Sequence, residues 1–128
     1  MADSWNPGGM VIWTDADARG YTVQMKETTW LKKIISTPGR EFLSNQSPAL
    51  RHAVRTAPYI YEDRSRKNRE NYVNLALLVM TDGTSPVPFP VTIVVDVIAP
   101  QVRDIVTIFP VRKIDKENHG RLIYGPQL

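Results

Sequence analysis

The densest chemistry in the chain lies between Arg51 and Arg69, a short span holding six Arg or Lys residues. Arg51 and Arg55 stand four apart in a segment patterned as a helix, so one turn presents two guanidinium groups side by side, with His52 at their edge. Four more cations follow at Arg64, Arg66, Lys67 and Arg69. Guanidinium forks match phosphate oxygens, and the nearby rings of Tyr59, Tyr61 and Tyr72 are surfaces on which bases stack. The same residues also read as a solvated helix face followed by a charged loop, and His52 reads as a surface histidine. Asp15 and Asp17 read as solvation of a turn, with cation binding as the alternative. Thr92, Asp96 and Thr107 interrupt otherwise apolar runs; a carboxylate such as Asp96 needs an arginine beside it if it is buried.

Several chemistries are absent. The chain has no cysteine, which removes disulfides, thiolate catalysis and most zinc sites. There is no phosphate-cradling Gly-rich loop, no Gly-x-Ser-x-Gly elbow and no His/Asp/Glu cluster at metal-ligand spacing, so neither a metal nor a small-molecule cofactor is expected. The formal charge of +3 over 128 residues is mild, so the placement of the cations matters more than their sum. With 42% hydrophobic and 23% charged residues, the composition is that of a soluble globular domain. No apolar run reaches the length of a membrane span and no signal-peptide core follows Met1, so a cytoplasmic protein with no membrane partner is expected.

The elements that must position these residues are readable from periodicity. Val91–Val97 and Asp104–Phe109 are dense in β-branched residues, nearly apolar on both faces, and separated by Ala99, Pro100 and Gln101. They are expected to be adjacent antiparallel strands near the sheet centre. Met10–Thr14 and Tyr21–Met25 read as a hairpin around Asp15–Gly20. A helix is expected over Thr28–Ser36, capped by Thr28 or Thr29, with Trp30, Leu31, Ile34 and Ile35 as its stripe. A second helix is expected over Pro48–Ala57, with Ser47 as its cap and Leu50, Ala53, Val54 and Ala57 on its apolar face. Tyr59–Tyr61 and Glu70–Met80 read as strands, Arg64–Arg69 as a loop, and the proline-rich Thr81–Pro90 as an extended surface connection. Leu122–Tyr124 is a candidate edge strand.

One domain is expected over residues 1–128, with a loose lead-in at 1–9 and a C-terminal tail at 114–128. A hairpin, two helices and then a run of strands argue for an α+β fold: two helices packed on one face of a four- to five-stranded antiparallel sheet.

Taken together, Thr29–Pro38, Pro48–Pro58, Tyr59–Asp63, Arg69–Tyr72 and Ile105–Phe109 resemble segments of the barnase–EndoU–colicin–RelE nuclease superfamily, in its phage-borne and toxin branches. The resemblance implies two helices on an antiparallel sheet whose open face binds RNA, and metal-independent transesterification that leaves a cyclic phosphate. Many phage-borne members carry histidines at slots held here by Lys33 and Thr37. In that frame Arg51 and Arg55 would neutralise the reacting phosphate, and Lys33 or His52 would handle the proton. Thr107 would bind a phosphate oxygen. Arg64, Arg66, Lys67 and Arg69 would hold the strand, and Tyr72 would stack a base. RNA, tRNA included, is the expected partner, with a protein inhibitor as a further one. A catalytically inactive module that binds nucleic acid or protein through the same face is the alternative.

Overall fold

The centre of the sheet follows from strands with no polar face to turn toward water. In β5 (Val87–Ala99) every residue from Val91 to Asp96 is buried, and β6 (Val102–Pro110) is buried from Arg103 to Val106. The two pair antiparallel, with Ile93 opposite Ile108 and Val94 opposite Thr107, as the sequence implies. The structure, a computed structural model, describes residues 9–81, 83–110 and 119–126. Residues 1–8 of the expected lead-in, and 114–118 and 127–128 of the expected tail, lie outside that range.

Around this pair stand β1 (Val11–Ala16), β2 (Thr22–Lys26), β3 (Tyr59–Asp63), β4 (Arg69–Leu78) and β7 (His119–Tyr124). Their order is β1-β2-β6-β5-β4-β3-β7, which places β5 fourth of seven. The fold is α+β, but the sheet is larger than the expected four or five strands and it is mixed. The β1–β2 hairpin joins through β2, which runs parallel to β6 with Thr22–Gln24 against Val102–Asp104. A parallel neighbour requires a long crossover. Here the helices and β3–β5 all lie between the two strands, so the topology permits it. Leu122–Tyr124 does form part of an edge strand, β7, paired with β3.

α1 (Glu27–Thr29) runs straight into a π-helical turn, Trp30–Ile34, in which the Ile35 N–H reaches the Trp30 carbonyl at 3.0 Å. The first helix thus begins ahead of both threonines, with Lys26 at the cap position and Thr29 buried inside it. After a 3-10 turn at Glu41–Asn45 comes α2 (Ser47–Arg55). Its cap position is held by Gln46, not Ser47; the Gln46 amide accepts from the Val79 N–H at 2.7 Å and donates to the Val79 carbonyl at 3.0 Å. Trp30, Ile34, Leu50, Ala53 and Val54 all pack into one core with Val23, Met25, Ile60, Tyr72, Ile93 and Ile105.

The proline-rich connection is shorter than the sequence suggests, because β5 begins at Val87 and includes Pro88 and Pro90. These face Leu77 and Leu75 of β4. Among the described residues β6 pairs with β5 as far as Pro110 opposite Val91. A proline is tolerated inside a strand where its missing N–H takes no part in the ladder.

A polar network ties the β1–β2 hairpin to the sheet. Glu70 accepts from Arg19 Nη2 at 2.7 Å and from Arg103 Nε at 3.1 Å, while Arg19 also bonds Asp17 at 2.8 Å. Tyr72, fully buried, donates its hydroxyl to Asp17 and accepts from Arg19 Nη2 at 3.0 Å. Asp17 further accepts from the backbone N–H groups of Arg19 and Tyr21, so it does serve the turn.

Burial would raise the Asp17 and Glu70 carboxyls, but hydrogen bonds from Tyr72 and Arg19 to Asp17, and from Arg19 and Arg103 to Glu70, hold both below the ordinary range. Groups depressed in this way contribute stability that is complete above the unfolded-chain value of about 4 and is lost as pH falls through the folded-state values. Thermal stability is therefore expected to fall steeply below that point. Tyr72→Phe should lower the unfolding free energy at neutral pH by about 1–2 kcal/mol, read by denaturant titration. A melting temperature that stays flat on acidification would contradict the network's role.

Candidate nucleic-acid interface

Strand alternation sends every second residue of β3–β6 to the face away from the helices. On that face the register aligns Tyr61, Asn71, Val94 and Thr107 in one row across four strands. Val73, Thr92 and Phe109 form the next row, and Arg69, Asp96 and Asp104 flank it on the other side. This face is not uniformly open, since Val73, Thr92 and Val94 are buried. What it offers is a concavity of about 400 Å³ whose lining includes Arg66, Arg69, Asn71, Thr92, Thr107 and His119.

The loop 64–68 is built onto this concavity by Asp63. Its carboxylate accepts from the Ser65 N–H at 3.1 Å, the Arg66 N–H at 3.0 Å and Asn71 Nδ2 at 3.2 Å. Asn68 takes φ of 58°, a left-handed conformation that asparagine tolerates, and its carbonyl accepts from the Val97 N–H at 2.7 Å. Arg64, Arg66 and Lys67 are exposed. A second concavity, of about 690 Å³, lies beside the first; the two share Asp63, Ser65, Arg66 and Arg69. Arg64, Lys67 and Arg103 line the second one.

Arg69 belongs to β4, not to the loop, and forms a two-point pair with Asp96 at 2.8 and 3.3 Å. This satisfies the requirement for an arginine beside a buried Asp96, and it commits much of the Arg69 charge to the sheet. Asp104, directly opposite Asp96, has Lys26 Nζ at 3.4 Å. Burial raises its carboxyl above the usual range, with Asp96 adding to the effect and Lys26 only partly offsetting it.

His119 was not singled out by the sequence. It stacks on Tyr61, with ring centroids 4.7 Å apart, and its Nδ1 lies 3.2 Å from Asn71 Nδ2. The same Asn71 nitrogen donates to the Asp63 carboxylate, which fixes it as the amide's donor end. His119 Nδ1 therefore accepts, and the neutral ring carries its proton on Nε2. The only signal for His119 in the sequence is a lone imidazole ahead of the Leu122–Tyr124 strand.

Arg40 was also missed. It crosses onto this face from the loop before the 3-10 turn, donates from Nη1 to Thr107 Oγ1 at 3.0 Å, and sets its guanidinium carbon 4.5 Å above the Phe109 ring centre.

Of the residues the sequence nominated, Thr107, Arg66 and Arg69 line the concavity; Arg64 and Lys67 stand at its neighbour. Others are elsewhere. Arg51 Nε lies 2.6 Å and Arg55 Nη1 3.0 Å from the Asp15 carboxylate, which locks α2 to β1. Burial would raise Asp15, but hydrogen bonds from Arg51 and then Arg55 bring it below the ordinary range. Arg51 also lies over the Trp13 ring, on the helix side of the sheet. The two arginines therefore face the opposite way from Thr107. His52 is exposed at the C-terminal half of α2, and its carbonyl accepts from the Thr56 hydroxyl at 2.8 Å. Lys33, half-buried on the π-helical turn, is not part of the concavity. Tyr72 is in the core and presents no ring face to a base, which corrects the stacking role expected of it. Its β4 position puts it on the helix side, a sidedness that follows from one residue of register.

Among the described residues no group of His, Asp and Glu is arranged to hold a metal ion, and no helix is long and apolar enough to cross a membrane. No protein-family model matches the chain, and no curated protein or solved structure is significantly similar to it.

Because Arg51 and Arg55 are partly exposed partners of Asp15, Arg51→Ala or Arg55→Ala should cost about 1 kcal/mol or less in denaturant unfolding. The amide resonances of Asn71, Thr92 and Thr107 should stay where they are in both variants. Shifts at those three amides would place the arginines back at this site.

Proposed function

We propose that this chain binds an RNA strand on the sheet face away from the helices and cleaves it by metal-independent transesterification, as the superfamily resemblance implies. The observation that carries this reading is the concavity itself. It sets hydroxyl and amide groups from two adjacent rows (Asn71 and Thr107, then Thr92) beside the exposed loop cation Arg66, with Arg64 and Lys67 at the neighbouring concavity. Phosphates would follow Arg64, Arg66 and Lys67, with the reacting phosphate at Thr107. The proton-transfer role passes from Lys33 and His52 to His119, the histidine that lines the concavity. Developing negative charge at the phosphate would be met by donors already in place before reaction.

One observation favours the second reading, a non-catalytic RNA-binding module on the same face. The Nδ1 of His119 is engaged by Asn71, and its Nε2 is buried, so proton transfer requires the ring to move.

Incubation of the pure protein with total RNA in EDTA separates the two readings. Defined fragments ending in cyclic phosphate are expected, and their loss in His119→Ala with retained RNA binding would assign the proton. Binding without cleavage would leave the module reading. In either case Arg64→Ala with Arg66→Ala should weaken RNA association and flatten the dependence of log K on log salt by roughly one phosphate contact per lost cation. An unchanged slope would remove the loop from the interface. The double variant should melt close to wild type, because exposed charges contribute little to folding.

A further inference from the structure

We propose that Arg40 and Thr107 together form a phosphate-binding subsite on the face away from the helices; this rests on, and sharpens, the reading of that face as an RNA surface.

The backbone at Arg40 is tightly held. Its N–H donates to the Thr37 carbonyl at 2.9 Å, and its carbonyl accepts from the Leu43 N–H at 3.0 Å. The preceding Gly39 takes φ of 85°, a conformation that side-chain-bearing residues rarely adopt, and its N–H donates to Glu41 Oε2 at 3.0 Å. The neighbouring acid is thus directed to the turn and not to the Arg40 guanidinium. That guanidinium is laid across Phe109 toward Thr107.

Two features then point to an anion. First, Arg40 pairs with no carboxylate among the described residues, whereas Arg19, Arg51, Arg55, Arg69 and Arg103 each do. A partly buried cation with no counter-charge among the described residues is costly there, and burial accordingly lowers its proton affinity. Second, the Thr107 oxygen already accepts from Arg40, so its own hydrogen is left to donate, and no described residue takes it. Thr107 lines the concavity, beside Thr92. A guanidinium with unused donors and an outward hydroxyl form the set that a tetrahedral oxyanion accepts from. The acids of this face are engaged elsewhere: Asp63 by the loop N–H groups and Asn71, Asp96 by Arg69, and Asp104 by Lys26. An anion is therefore drawn to the Thr107 and Phe109 end of the concavity, where Arg40 stands next to both residues.

The test uses the full chain, isotope-labelled, and two probes: inorganic phosphate and a 2′-O-methyl dinucleoside monophosphate, which cannot undergo transesterification. Both should shift the Arg40 Nε–H and the Thr107 amide and methyl resonances, the diester also reaching Thr92 and Asn71. Arg40→Gln should weaken binding of either probe about tenfold or more, as expected for loss of a charge-assisted bond, and Thr107→Val by a few-fold. Arg40→Lys should recover part of the loss. Arg40→Gln should melt close to wild type, since the bond to Thr107 that it weakens is offset by removal of a partly buried charge that pairs with no carboxylate among the described residues; should it fail to fold, Arg40→Lys carries the same comparison.

Probes that leave Arg40 and Thr107 unshifted, or an Arg40→Gln variant that binds as wild type, would overturn the subsite. The two readings fail separately. Long RNA bound through Arg64 and Arg66 but indifferent to Arg40→Gln would sink the subsite and keep the RNA surface. Phosphate bound at Arg40 without competition from RNA would do the reverse.

Discussion

Glu70 is a carboxylate that the sheet cannot bury unless two arginines come to it. Its partners arrive from opposite directions: Arg19 from the β1–β2 turn and Arg103 from β6. Leaving one buried charge unpaired commonly costs about 3–5 kcal/mol, so this requirement acts as a constraint on topology. It brings the hairpin turn over the end of β6 and sets β2 beside β6 at Thr22–Gln24, where Arg103 sits opposite Val23. Tyr72 and Asp17 complete the arrangement, which is why a tyrosine within a patch of cations ends in the core.

That placement has consequences further along β6. The parallel pairing ends at Asp104, so from Ile105 onward the strand's outer edge is left to the π-helical turn Trp30–Ile34 and the chain that follows it. The loop after this turn is then close enough for Arg40 to cross the edge and reach Thr107 on the far face. A purely antiparallel sheet with β2 paired along the whole of β6 would close that route. The candidate phosphate subsite is in this sense a by-product of where Glu70 needed its arginines.

The strands and helices were legible because their signals are local. β-Branched runs at Val91–Val97 and Ile105–Phe109, and apolar stripes at Trp30/Ile34 and Leu50/Val54, each specify an element and the face it buries. The parallel β2–β6 pair was not legible, since a five-residue strand carries no mark of its partner's direction. Pro88 and Pro90 misled for a different reason: proline argues against a strand interior but is compatible with positions whose N–H takes no part in the ladder, and the sequence does not say which positions those are. The site divided along the same line. Thr107 stood out as a hydroxyl in an apolar strand, and the loop cations as exposed charge. Which arginines have partners depends on contacts distant in sequence: 36 positions for Arg51 to Asp15 and 67 for Arg40 to Thr107. The i, i+4 spacing of Arg51 and Arg55 looked like a phosphate clamp, but two guanidinium groups one turn apart suit a carboxylate equally well, and Asp15 is there.

The contrast among the arginines also bears on chemistry. Arg69 and Arg40 both reach the same face, but Arg69 is held by Asp96 at two points, so an incoming phosphate would compete with a carboxylate already in place. Arg40 presents no such competition among the described residues, and its existing bond to Thr107 orients the hydroxyl as a donor. A phosphate seated there would lie in the same strand row as Asn71, the residue that holds His119 Nδ1. For His119 to take a proton from a ribose hydroxyl, that bond must break and the ring must leave its stack on Tyr61. Binding and catalysis thus make different demands on the same few side chains. Phosphate binding as proposed would need only Arg40 and Thr107 as they stand, whereas the proposed cleavage would need the Asp63–Asn71–His119 chain to give way.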